Sequence, residues 1–145
     1  MQPRGLALAT LCLLVVLREG AGALAGDPRL LARLQHLLGV VEQLSRLAPH
    51  LDPEDLPAPQ DVRSHCERSA FSCFQTVQLK PAGSGGKQKS IQNFAKQLRR
   101  KLPGSRAQEE WRTCPSCDSY ERKPPQEFLA RLKALLQQML HRRLS

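Results

Sequence analysis

The fold is decided by residues 124–144, which read PPQEFLARLKALLQQMLHRRL. Two prolines open the segment, and proline suits the first turn of a helix because an N–H there has no intrahelical acceptor. Apolar residues then recur every three or four positions, which is the period of a helix with one buried face. The predicted buried face carries Phe128, Leu129, Leu132, Leu135, Leu136, Met139, Leu140 and Leu144. Such a helix needs other elements to cover it.

Three other segments show the same helical period, and no segment reads as a strand of useful length. Proline or glycine ends each of them: Pro49 after the first, the run 81–86 after the second, and Pro103 after the third. They span residues 28–48, 60–80 and 91–102. The sequence therefore predicts an all-α domain of four helices.

The lengths of the connections predict the order of the helices. The segment 49–59 contains four prolines, so it should run extended and reach about 36 Å. That is just enough to return along a first helix about 31 Å long. The connection 103–123 is also long, whereas 81–86 is short and favours antiparallel neighbours. Two long crossovers around a short turn predict a short-chain, up-up-down-down four-helix bundle.

The start of the chain has the pattern of a secretory signal peptide. A basic start at Met1–Arg4 precedes an apolar run, Leu6–Leu17, and small residues follow it at 21–25. The run is too short to span a bilayer, so a membrane anchor is the poorer interpretation. We expect a signal peptide over 1–23, ending between 23 and 25, and one domain over 24–145. The product should be secreted, without membrane insertion.

Four cysteines remain after cleavage, and an even number in a small secreted chain indicates two disulfide bonds. Cys66 and Cys73 lie seven residues apart on a predicted helix, so their Cα atoms should be about 10.5 Å apart. That exceeds the reach of a disulfide, so each must pair with Cys114 or Cys117. Two crosswise pairings remain open. A redox C-x-x-C motif lacks its βαβ context, and a zinc site is poorly served by this spacing.

The charge of the chain is +9 and unevenly distributed. Between Lys80 and Arg106 lie eight basic residues and no acidic one. Such a field favours acidic partners, such as a receptor surface or heparan sulfate. We expect no nucleic-acid binding, because aromatic residues are scarce and the chain is exported. The four histidines are scattered, and no glycine-rich loop follows a strand, so we expect no enzymatic activity, cofactor or metal.

Two blocks of sequence carry a family resemblance. Residues 56–80 read LPAPQDVRSHCERSAFSCFQTVQLK, and residues 113–141 read TCPSCDSYERKPPQEFLARLKALLQQMLH. Both resemble the short-chain four-helix cytokines of the interleukin-2 and interleukin-15 group. The strings SAFSCFQ and TCPSCDSY are the most specific parts. Together the blocks cover a little under half of the chain that follows the signal peptide, and the remainder is more loosely similar.

The resemblance implies a disulfide pattern of Cys66–Cys114 and Cys73–Cys117. It also implies a receptor complex made of a private receptor chain and the common gamma chain. Signalling would then run through Janus kinases and STAT proteins in lymphocytes. We expect the cytokine itself to be a monomer.

Receptor-binding residues carry over only at matching positions. Those implied for the private chain are Arg29, Arg33, Lys96, Arg99, Arg100 and Lys101, and those implied for the common gamma chain are Gln137 and Leu140. Gln35 and His36 depart from the family pattern, so no contact is carried over to them.

Other interpretations of these residues remain open. Lys96–Lys101 could be a solvated helix end, where cations favour the helix dipole, and Leu140 could simply pack in the core. The basic residues also suit heparan sulfate. The alternative function is a secreted cationic helical protein that acts on glycosaminoglycans or membranes, and its binding should weaken more steeply with salt.

Overall fold

A computed structural model describes residues 28–83, 86–103 and 113–144. These residues are mostly helical, as predicted, and their four α-helices are α1 Pro28–Arg46, α2 Glu67–Thr76, α3 Gln88–Leu98 and α4 Pro125–Leu144. Short 3₁₀ turns lie at Ala48–His50, Ser64–Cys66 and Cys117–Ser119. Two-residue strands lie at β1 Leu56–Pro57 and β2 Arg122–Lys123. The predicted signal peptide lies outside the described residues.

Helix α4 lies at the centre of the core, in contact with α1 and α2, and α3 packs on α1. Its predicted apolar face is buried from Phe128 to Met139. The prediction was wrong at Leu144, which is 67% exposed, and Leu140 is only partly buried. The buried stripe of α4 therefore ends at Met139.

Helix α2 runs antiparallel to α4. The Phe74 ring packs edge-on against the Phe128 ring, with centroids 5.1 Å apart. At the other end of α2, the buried Glu67 carboxylate accepts a hydrogen bond from Gln138 Nε2 at 2.8 Å and an ion pair from Arg142 Nη2 at 2.7 Å. The end of α2 thus contacts the start of α4, and the start of α2 contacts the end of α4.

The second helix is shorter than the sequence predicts. Asp61 adopts a φ of 54°, which is incompatible with a right-handed helix. The carbonyl of Val62 accepts a hydrogen bond from Gln138 Nε2 at 2.9 Å, so α4 holds this backbone in place. Cys66 is the N-cap of α2, and Val77 is already extended. Apolar periodicity marked the side that faces the core but could not report these backbone contacts.

The two long connections are joined to each other and to α4. The strands β1 and β2 pair antiparallel, with Leu56 opposite Lys123. Arg131 of α4 donates a hydrogen bond to the Ala58 carbonyl at 2.9 Å and pairs with Glu121 at 3.1 Å. Hydrogen bonds from Arg131 and Lys123 lower the pKa of the Glu121 carboxyl. The extended conformation predicted for 49–59 is confirmed beyond the 3₁₀ turn at Ala48–His50.

Disulfide bonds join α2 to the segment before α4. They pair Cys66 with Cys114 and Cys73 with Cys117, with Cα atoms 5.6 Å and 5.5 Å apart. This is the crosswise pairing that the family resemblance implies. Both cysteines of α2 are buried, so the connection is fastened at the surface of the core.

Candidate functional site

The structure brings together two groups of basic residues that are far apart in the sequence. We call them the basic surface: Arg29 and Arg33 of α1, with Lys96, Arg99, Arg100 and Lys101 at the end of α3. Arg33 Nη2 donates a 2.8 Å hydrogen bond to the carbonyl of Gln97. The start of α1 therefore lies directly against the end of α3, although the two segments are more than 60 residues apart.

Gln97 positions this surface, and the sequence analysis did not identify it. Its backbone carbonyl accepts hydrogen bonds from the Arg33 guanidinium at 2.8 Å and from the Arg100 N–H at 3.4 Å. Its side-chain Oε1 lies 2.8 Å from His36 Nε2, one helical turn beyond Arg33. His36, one of the two positions that depart from the family pattern, thus bonds to α3.

Gln75, at the end of α2, holds the end of α3. Its Nε2 donates to the carbonyls of Leu98 at 3.0 Å and Arg100 at 2.7 Å. Since these carbonyls point to Gln75, the helix stops at Leu98 instead of continuing to 102 as predicted. Residues 99–101 therefore leave the helix, and their side chains are exposed. No apolar periodicity could have revealed Gln75, because its role is a polar contact between helices.

The electrostatics of the basic surface are unfavourable in the isolated protein. Burial and the nearby positive charge of Arg100 both lower the pKa of the Arg33 guanidinium. Within the described residues, no ion pair joins a carboxylate to Lys96, Arg99, Arg100 or Lys101. A partner's carboxylate would relieve this repulsion, and arginine can bind one with two parallel hydrogen bonds.

A second candidate surface lies on α4. Gln137 is exposed and Leu140 is partly buried against the core. Leu144 follows Leu140 by one helical turn and is the exposed large apolar residue of the described chain. The three positions form a polar and apolar strip along one side of the last turns of α4. Core packing accounts for the buried part of the Leu140 side chain, but the Leu144 side chain is exposed and does not pack in the core.

One group of potential metal ligands occurs among the described residues. The ligand atoms of His65, Cys66 and Cys114 lie within 4.8 Å of one another. Both sulfurs belong to one disulfide bond, so they are not thiolate ligands. His65 Nε2 lies 3.1 Å from Thr113 Oγ1. This group reflects the disulfide geometry and is not a metal site in the oxidised protein.

No protein-family model matches the chain. Of the helices described, none has the length and apolar character needed to cross a bilayer. The protein is a small, disulfide-bonded, predominantly helical domain with a basic surface on α1 and α3 and a polar and apolar strip on α4.

Proposed function

We propose that the protein is a secreted cytokine that brings together two receptor chains. The sequence blocks 56–80 and 113–141 resemble interleukin-21 in particular, so the private receptor would be of the interleukin-21 type. The second receptor would be the common gamma chain, and the complex would activate Janus kinases and STAT proteins in lymphocytes. The observation that carries the proposal is the convergence of Arg33 of α1 and Arg100, just beyond the end of α3, on one surface.

The proposed architecture is an up-up-down-down bundle. Three features support it: the antiparallel packing of α2 on α4, the long connections between α1 and α2 and between α3 and α4, and the pairing of those connections through β1 and β2. Two long crossovers are needed when consecutive helices are parallel. The disulfide bonds then hold the second crossover against α2.

Arg100→Glu is expected to weaken binding to the private receptor about tenfold, because it removes one charge-assisted contact and adds a repulsive one. The Arg100 side chain is exposed and forms no ion pair within the described residues, so helicity should not change. Surface plasmon resonance with the receptor ectodomain measures the affinity, and circular dichroism measures the helicity. The matched control is Arg63→Glu, an exposed arginine in the connection beside α4. Equal affinities for wild type and Arg100→Glu would reject the assignment.

The double change Gln137→Asp and Leu140→Asp is expected to preserve private-receptor binding and abolish signalling. A carboxylate at Leu140 would place an unpaired charge in an interface with the common gamma chain. STAT phosphorylation in receptor-bearing cells is the measurement. Retained private-receptor binding is the check on folding of the double variant, which is needed because Leu140 packs partly against the core, whereas Gln137 is exposed. Full STAT phosphorylation by the double variant would contradict the proposal.

Formation of a ternary complex distinguishes the cytokine from the alternative function. A cytokine should co-precipitate both receptor ectodomains from one mixture, and should retain most of this binding as salt rises, because docked interfaces bury apolar contacts. A cationic protein acting only on glycosaminoglycans or membranes should precipitate neither ectodomain.

A further inference from the structure

We propose that α3 carries a binding track for a sulfated glycosaminoglycan, of the heparan sulfate type, that extends from the basic surface to Lys87 and Lys89. The track consists of the exposed cations of residues 86–103, which are Lys87, Lys89, Lys96, Arg99, Arg100 and Lys101. Lys87 and Lys89 belong to no receptor surface described above.

The helical phase of α3 places two cations of the track on one side of the helix. Lys89 and Lys96 are seven residues apart, so they lie on one side of the helix and about 10.5 Å apart along its axis. The opposite side is occupied by Ile91 and Leu98, which are buried in the core. Lys89 and Lys96 are therefore aligned along the solvent side of α3, which suits a linear polyanion whose sulfate groups recur along the chain.

The helix dipole has opposite effects on cations at the two ends of the track. Cations near the end of α3, such as Lys96, are favoured by the dipole and need no further explanation. Cations at the start are disfavoured by the dipole. Lys87 is the N-cap and has no side-chain capping bond, and the first turn contains no acidic residue. Lys87 and Lys89 thus occupy positions where helix stability favours the opposite charge, as expected if they bind an external anion.

The surroundings of the track contain few anions. Residues 86–103 include no acidic residue, and none of their six cations is in an ion pair within the described residues. The exposed acids of the described chain are concentrated in the connections, for example at Asp52, Glu54, Asp55 and Asp118. Polyanion binding is therefore favoured at the segment 86–103, whose charged residues are all cationic.

A consequence follows if the basic surface also binds the private receptor, as proposed above. Arg99, Arg100 and Lys96 cannot contact sulfate groups and receptor carboxylates at once. Glycosaminoglycan should therefore compete with the private receptor, whereas Lys87 and Lys89 should affect only glycosaminoglycan. This difference allows the two proposals to fail separately.

The test is the double variant Lys87→Glu and Lys89→Glu. Its affinity for heparin at 0.15 M salt should fall about tenfold, from the loss and reversal of two exposed contacts. Its melting temperature should be equal to or above that of the wild type, because glutamate at these positions suits the dipole. Weaker binding therefore cannot be ascribed to unfolding. Its private-receptor affinity should be unchanged.

Several results would overturn the proposal. One is a wild-type protein that elutes from heparin below 0.15 M salt, and another is a double variant with wild-type heparin affinity. A third is an Arg63→Glu control, of matched charge reversal, that loses as much heparin affinity per residue. Equally tight binding to anionic vesicles or to RNA would show a non-specific cationic surface. Loss of private-receptor affinity in the double variant would also contradict the proposal, because it would show that Lys87 and Lys89 belong to the receptor surface.

Discussion

Removing both disulfide bonds is expected to lower the free energy of unfolding by about 7 kcal/mol, while removing either one alone should cost about 3 kcal/mol. The variants are Cys66→Ala with Cys114→Ala, Cys73→Ala with Cys117→Ala, and all four together. Each removes a complete bond, so no free thiol remains to form new disulfides. The quadruple variant should be marginally folded or unfolded, because small domains have only about 5–15 kcal/mol of stability in total.

Removing both bonds costs more than twice as much as removing one because the two disulfide loops overlap in the sequence. The bonds join residues 48 and 44 positions apart, and closing one such loop in an otherwise free chain contributes about 4 kcal/mol in the chain-entropy model. Once one bond exists, the second closes a much smaller loop, made of the eight residues from Cys66 to Cys73 and the four from Cys114 to Cys117. That smaller loop contributes about 3 kcal/mol. The loss from both together must therefore exceed twice the loss from one.

Urea denaturation monitored by circular dichroism measures these free energies. The m-value should rise as bonds are removed, because an unfolded chain without cross-links exposes more surface. Equal stability of the quadruple variant and the wild type would refute the role assigned to the bonds. A second bond whose removal adds nothing to the loss of the first would refute the interlocked-loop argument alone.

Arg142→Ala is expected to lower the free energy of unfolding by about 3 kcal/mol. Its guanidinium lies 2.7 Å from Glu67 Oε1, and Glu67 is only 2% exposed. Removing the arginine leaves a buried carboxylate that, among the side chains the structure describes, keeps the hydrogen bond from Gln138. The Arg142 side chain is itself 43% exposed, which places the expected loss at the lower end of the range for broken buried pairs.

A second substitution, at Glu67, distinguishes an unpaired buried charge from lost packing as the cause of the destabilisation. Adding Glu67→Gln to Arg142→Ala should recover about half of the lost stability, because a neutral amide is less costly to bury than an unpaired carboxylate. Arg143→Ala, at the neighbouring position, is the matched control and should change stability by less than about 0.5 kcal/mol. A double variant less stable than Arg142→Ala would show that the charge is not the cause.

The candidate site was only partly predictable for a specific physical reason. The family resemblance marked Arg33 and Arg100 one by one, and the structure brings them side by side through the Gln97 carbonyl. Gln97 and Gln75 act through polar contacts between helices, and a lone glutamine on a helix has no sequence signal for such a contact. The departure at His36 is accommodated because its imidazole bonds to Gln97 Oε1. Glu67 was missed likewise, because its burial depends on two residues of α4.

The sequence by itself determined the helical class, the approximate positions of the four helices that the structure describes and the need for crosswise disulfide bonds. These depend on local periodicity, on prolines that end helices and on the short reach of a disulfide. Only the tertiary structure decided where α2 begins, where α3 ends and which polar residues meet. Those features depend on backbone carbonyls that accept hydrogen bonds from side chains of other helices. Gln138 donates to the Val62 carbonyl in this way, and Gln75 donates to the Leu98 carbonyl. Periodicity reports which side of a helix is buried, but a hydrogen bond between helices depends on packing that no single segment encodes.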